Sequence, residues 1–236
     1  MQFEAAKRLV ARSIKAGHGA LSEYESKRVL AAYGVPITRE RLVYTAKDAR
    51  VAADRIGYPV VLKGCSHDLQ HKTEAGLVVV GLSSAKEVAN AFRKLKSRTG
   101  ENFSGGFLVQ EMVSGDRELM VGMIRDDQFG PSVMFGLGGI FTEVLEDVAF
   151  RLAPLRITDA RQMMSEIRAA KILDSVRGLP RVDRALLART IVAVGKVAHD
   201  IPDIAEIDIN PLIISGKCPV AVDGLVILKP SGIKND

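Results

Sequence analysis

Residues 60–72 run from an apolar stretch, Val60-Val61-Leu62, into Lys63 and eight residues later reach His71. A lysine leaving an apolar strand sets one compact cation against a polyphosphate, and a neutral imidazole on a loop is a competent nucleophile toward phosphorus. Together they suggest phosphoryl transfer through a phosphohistidine. Each also has a plainer account, since charged residues that end strands usually meet solvent and loop histidines are often idle. His18, His67 and His199 fit that plainer account. Neither GxxxxGK[ST] nor GxGxxG occurs, so a nucleotide must be held in another way.

Three further groups carry usable chemistry. Gln110-Glu111-Met112-Val113 reads as a connector whose backbone would meet an adenine edge, with Glu118 on the next strand in reach of a ribose hydroxyl. The run Gly136-Leu137-Gly138-Gly139, just before an expected helix at Ile140-Phe141-Thr142-Glu143, lets bare amides approach a phosphoryl group. Arg151 is expected just beyond that helix, paired with Glu143 or Asp147 or with phosphate. Asp208-Ile209-Asn210-Pro211 ends one strand and Asp223-Gly224 interrupts the next, a sparse oxygen set for Mg²⁺ to be completed by phosphate oxygens and water. Taken one at a time, these are ordinary turn residues.

The elements that must hold these groups follow from caps and periodicity. Ser22-Glu23-Tyr24-Glu25 reads as a capping box opening a helix through residue 33, stopped by Gly34 and Pro36. Strands are expected at 42–44, 59–63, 76–82 and 106–112, with helices capped by Thr45 and by Ser83 or Ser84 between them. A hairpin turning at Asp126-Asp127, helices over 159–170 and 183–198, and strands over 204–209 and 220–227 complete the second half. The ends, 1–20 and 229–236, are expected to be loosely held.

Lys and Arg number 33 against 28 Asp and Glu, a net charge of +5 that suits anionic ligands. Aromatics are only 5%, Trp is absent and no long basic run occurs, which argues against nucleic acid. A hydrophobic content of 47% with 26% charged residues fits a folded globular chain of 236 residues with two subdomains. Cys65 and Cys218 fit no CxxC spacing, and no membrane span or leader is read, so a reducing cytoplasm and no membrane partner are expected.

Lys63, His71-Lys72-Thr73-Glu74-Ala75-Gly76, Gln110–Val113, Phe135–Gly139 and Glu206–Pro211 occur in the order found in the ATP-grasp subunit of ADP-forming acetyl-CoA synthetases. Over about residues 20–228 the chain resembles that β subunit, in the NDP-forming acyl-CoA synthetase superfamily. The resemblance implies an α+β ATP-grasp fold of two α/β subdomains with ATP or ADP held between them. Residues 1–35 would be an N-terminal helical segment, 36–111 the small lobe and 112–236 the large lobe with the metal site. By motif position Lys63 would contact phosphates, Glu111 and Val113 would flank adenine, and Glu118 would sit at ribose or metal. Asn210 and Asp223, with Asp208 close by, would bind Mg²⁺. His71 would be the phosphorylated carrier, received at Gly138 and Gly139.

In that family the reaction is acyl-CoA plus ADP plus phosphate, giving acid, CoA and ATP. A CoA-binding α subunit, phosphorylated on its own histidine, hands the phosphoryl group on to the β histidine. Succinyl-CoA synthetase β chains continue into a further ligase domain where this sequence stops, so a separate partner and an α2β2 complex are expected. The alternatives are a stand-alone ATP-grasp carboxylate ligase, which needs no histidine carrier, and a nucleotide-sensing subunit without turnover.

Overall fold

The computed structural model describes residues 2–69, 76–100, 103–139 and 147–230. They divide into two compact units: one of Met1–Leu21, Glu25–Ile37 and Ser114–Asp236, and another of Ser22–Tyr24 and Thr38–Val113. Both units combine helices with antiparallel sheets.

The smaller unit is a four-stranded sheet ordered β1-β4-β2-β3, from β1 (Glu40–Val43), β2 (Val60–Cys65), β3 (Val78–Leu82) and β4 (Gly106–Glu111). Two helices, α3 (Ala46–Ile56) and α4 (Ala85–Arg98), pack on it. Thr45 and Ser84 accept the amides of Asp48 and Glu87, so each helix starts where its cap satisfies an orphan donor. Val60, Leu62, Phe107 and Val109 close the core against Ala49, Ala52, Val88, Phe92 and Leu95. Because side chains alternate across a strand, Val61, Lys63 and Cys65 lie on the opposite face. All six residues of β2 are buried. Lys63 is thus inside the strand rather than at its end, because pairing with β4 continues as far as Cys65 and Gly106.

The larger unit contains α1 (Gln2–Lys15), α2 (Glu23–Ala32, whose first residues group with the smaller unit), α5 (Ile157–Glu166) and α6 (Arg184–Asp200). Its sheet runs β10-β8-β5-β6-β7, from β5 (Glu118–Asp126), β6 (Gly130–Leu137), β7 (Val148–Leu152), β8 (Ile204–Ser215) and β10 (Leu225–Leu228). A short β9 (Cys218–Ala221) also pairs with β8. One face, with Val121, Met123, Val133, Phe135, Ile207 and Ile209, joins the apolar cluster of α5 and α6, including Met163, Met164, Leu187, Ile191 and Val194. The other face carries Glu206, Asp208 and Asn210 at alternate positions of β8.

Several expectations need correction. The N-terminal stretch is not loose: α1 buries Ala6, Val10 and Ser13, a helical stripe of small residues. Arg151 lies on strand β7, opposite Val133, and its ion pair is with Glu166 on α5 rather than with Asp147. Asp147 instead accepts the amides of Arg168 and Ala169. The expected strand over 220–227 is two strands, broken where Asp223 accepts the amide of Gly224.

Candidate nucleotide and metal site

In the smaller unit, Lys63 Nζ lies 2.9 Å from Glu23 Oε1, with side chains 8% and 2% exposed. Two charged groups this far from water offset part of each other's desolvation cost. Sequence reasoning missed Glu23: it was read as part of a capping box, which already explained a glutamate there. Glu111, at the end of β4, uses both carboxylate oxygens on Arg39, taking its backbone N at 2.8 Å and its Nε at 2.6 Å. The amides of Glu111 and Met112 donate to the carbonyls of Arg39 and Pro59. Val113 follows directly, closing this unit in the chain.

In the larger unit, four of the expected residues come together. Gly138 donates its amide to the Glu118 carbonyl at 2.9 Å, and Gly139 donates to Asn210 Oδ1 at 3.2 Å. Gly139 has φ +62, and a Cβ there would meet Glu118 Oε2 at 2.1 Å. A Cβ on Gly138 would stand 2.5 Å from the Leu119 carbonyl. Only glycine allows both the left-handed turn and the close approach of Glu118 to this backbone.

Two residues before Asn210, on the same face of β8, Asp208 has a buried Oδ1 with no hydrogen-bond partner. Asp208 lies opposite Gly122 on β5 and Leu225 on β10. Burial, then the charge of Glu206, then that of Asp223, push its carboxyl up to about 6. Glu206 was not singled out from the sequence, although the alternation Glu206, Asp208, Asn210 places all three on one side of a strand. An orphaned carboxylate oxygen beside further hard oxygen donors fits a divalent cation such as Mg²⁺, which takes few protein ligands. Among the described residues no group of three or more His, Cys, Asp or Glu is gathered tightly enough to hold a metal by itself. The fit thus depends on the amide oxygen of Asn210 and on ligands from outside the chain. His71, Thr142 and Glu143 lie outside the described residues.

A family model described as an ATP-grasp domain matches residues 12–228. The chain belongs to this ATP-grasp family. It is 41% identical over 226 residues to the β subunit of acetate–CoA ligase (ADP-forming) I of Pyrococcus furiosus, covering 94% of this chain and 97% of the relative. It also superposes on a chain of the dinucleotide-forming acetyl-coenzyme A synthetase 1 of Candidatus Korarchaeum cryptofilum in complex with coenzyme A and Ca-AMPCP. That match has a TM-score of 0.90 and 38% identity and covers 95% of this chain and 100% of that one. Another form of that enzyme, with coenzyme A and Mg-AMPPCP, has its phosphohistidine segment pointing towards the nucleotide binding site. It matches with a TM-score of 0.85 and 38% identity over 95% of this chain and 100% of that one. Among the described residues no helix is long and apolar enough to cross a membrane.

Proposed function

We propose that this chain is the nucleotide-binding β subunit of an ADP-forming acyl-CoA synthetase, acetyl-CoA being the first substrate to test. With a CoA-binding α chain, in an α2β2 complex, it converts acyl-CoA, ADP and phosphate to carboxylic acid, CoA and ATP. The observation that carries this reading is the row Asp208–Asn210 with Glu118 and Gly139 against it, in a chain that matches an acetate–CoA ligase β subunit almost end to end. Two free cysteines and the lack of any need for a disulfide suit a cytoplasmic enzyme.

Lys63 supplies a cation to the nucleotide phosphates, and Glu118 reaches the ribose or the metal. The Glu111 and Met112 amides are engaged, so the adenine edge is left to the Glu111 carbonyl and the Val113 amide. Asp208, Asn210 and Asp223 would hold Mg²⁺, which when bound neutralises charge on the phosphate oxygens. His71 takes the phosphoryl group from the partner's phosphohistidine. A nitrogen–phosphorus bond forms as the donor's breaks, and the group then moves to the terminal oxygen of ADP. A relay of this kind serves two pockets too far apart for one in-line displacement. The amides of Gly138 and Gly139 are engaged by the Glu118 carbonyl and Asn210 Oδ1, so what these glycines offer the phosphohistidine is backbone without side chains that it can approach closely.

The test is reconstitution with the α chain. ATP is expected to form from acetyl-CoA, ADP and phosphate, with acid-labile phosphate on His71. His71→Ala should abolish turnover while ADP still binds. Full activity in that variant would sink the relay, and turnover without any α chain would favour a stand-alone carboxylate ligase.

A further inference from the structure

We infer that Glu23 is a positioning residue that restrains the Lys63 ammonium and thereby keeps the hold on nucleotide phosphates, those of ADP and of product ATP alike, weak enough for ATP to leave. The inference rests on the reading of Lys63 as a phosphate contact. Lys63 and Glu23 form a buried pair at 2.9 Å, on the face of β2 turned away from the apolar cluster of α3 and α4. The charge on Lys63 is therefore answered inside the protein before any ligand arrives. An incoming diphosphate meets a dipole rather than a full cation, and it also approaches a carboxylate of its own sign. Both effects lower its affinity.

A low affinity is useful here. Binding ground state and transition state equally tightly lowers KM without raising kcat, and product nucleotide must leave on every cycle. Glu23 thus trades phosphate affinity for turnover. It does so without touching the reacting atoms.

The experiment compares the full-length chain and its Glu23→Gln variant by calorimetric titration with ADP and with adenosine, and then by steady-state assay with the α chain. One charge removed at this range in a partly screened interior is expected to tighten ADP about tenfold. Adenosine, which has no phosphate, should bind as to wild type. KM for ADP and kcat should fall together. Glu23→Gln removes one charged partner of a buried lysine, so Glu23→Asp serves as the second variant: it keeps the charge but draws it back by one methylene. Its ADP affinity should rise by a smaller factor, and this variant decides the matter if the first does not fold. Unchanged or weaker ADP binding in a folded variant, or a parallel change for adenosine, overturns the inference. A wild-type chain that binds no ADP overturns the nucleotide-site reading and this inference with it. A wild-type chain that binds ADP beside variants that bind it no tighter overturns only the role of Glu23.

Discussion

At the scale of single residues, Asp208 is where charge and burial conflict most openly. Its carboxyl is pushed from 3.8 up to about 6. Between those values the folded chain holds a proton that the unfolded chain has lost, so stability falls as pH rises through this window and the full penalty stands above it. Asp208→Asn removes the ionisation. It is expected to be more stable than wild type near pH 8 by about 2 kcal/mol, discounted for the solvent the group still meets, and to lose that advantage below about pH 4. Thermal melts in EDTA at the two pH values check this. A gain of equal size at both would trace the effect to packing rather than to charge. Asp208, Asn210 and Asp223 stood out in the sequence as oxygen side chains expected at strand ends, but β8 runs on to Ser215 and holds Asp208 and Asn210 inside the strand. The sequence did not reveal that the Asn210 amide oxygen accepts the Gly139 N–H, or that Lys63 pairs with Glu23, forty positions away. Long-range partners leave no periodic trace.

At the scale of elements, local rules carried far where a signal was local. The Thr45 cap, the Gly57 stop with its positive φ, and the β5–β6 hairpin turning at residues 126–130 all lie where their residue types place them. Strand β7 escaped notice because five residues are too few for a clear alternation, and it follows a glycine-rich run that reads as a helix start. Arg117 escaped notice as well. Its buried guanidinium donates to four carbonyls, those of Ile172, Asp174, Pro180 and Gly216. One planar fork thereby ties the start of β5 to three separate stretches of the larger unit. Arg117→Ala leaves these buried acceptors short of donors and is expected to cost about 3 kcal/mol in urea unfolding. Arg117→Lys should recover less than half, because an ammonium cannot span four acceptors in one plane. Full recovery by lysine would show that the charge matters and the fork does not.

At the scale of the whole molecule, the chain divides into two units, each with its own apolar cluster, and the larger unit gathers both the first and the last stretches of the sequence. An α2β2 assembly makes a definite prediction. The purified complex should have the mass of two copies of each chain by native mass spectrometry, and ATP synthesis should appear only with that species. A fully active one-to-one heterodimer would refute the stoichiometry.

Strand β7 ends the described path of the larger sheet. Phe150 and Leu152 stand on it 51% and 52% exposed, and Ile124 lies 52% exposed two strands away, in register through Ser132. An open edge bordered by large apolar groups is a template on which other chains can grow. Among the described residues nothing pairs with that border, so at high concentration the isolated polypeptide would carry a solubility penalty there.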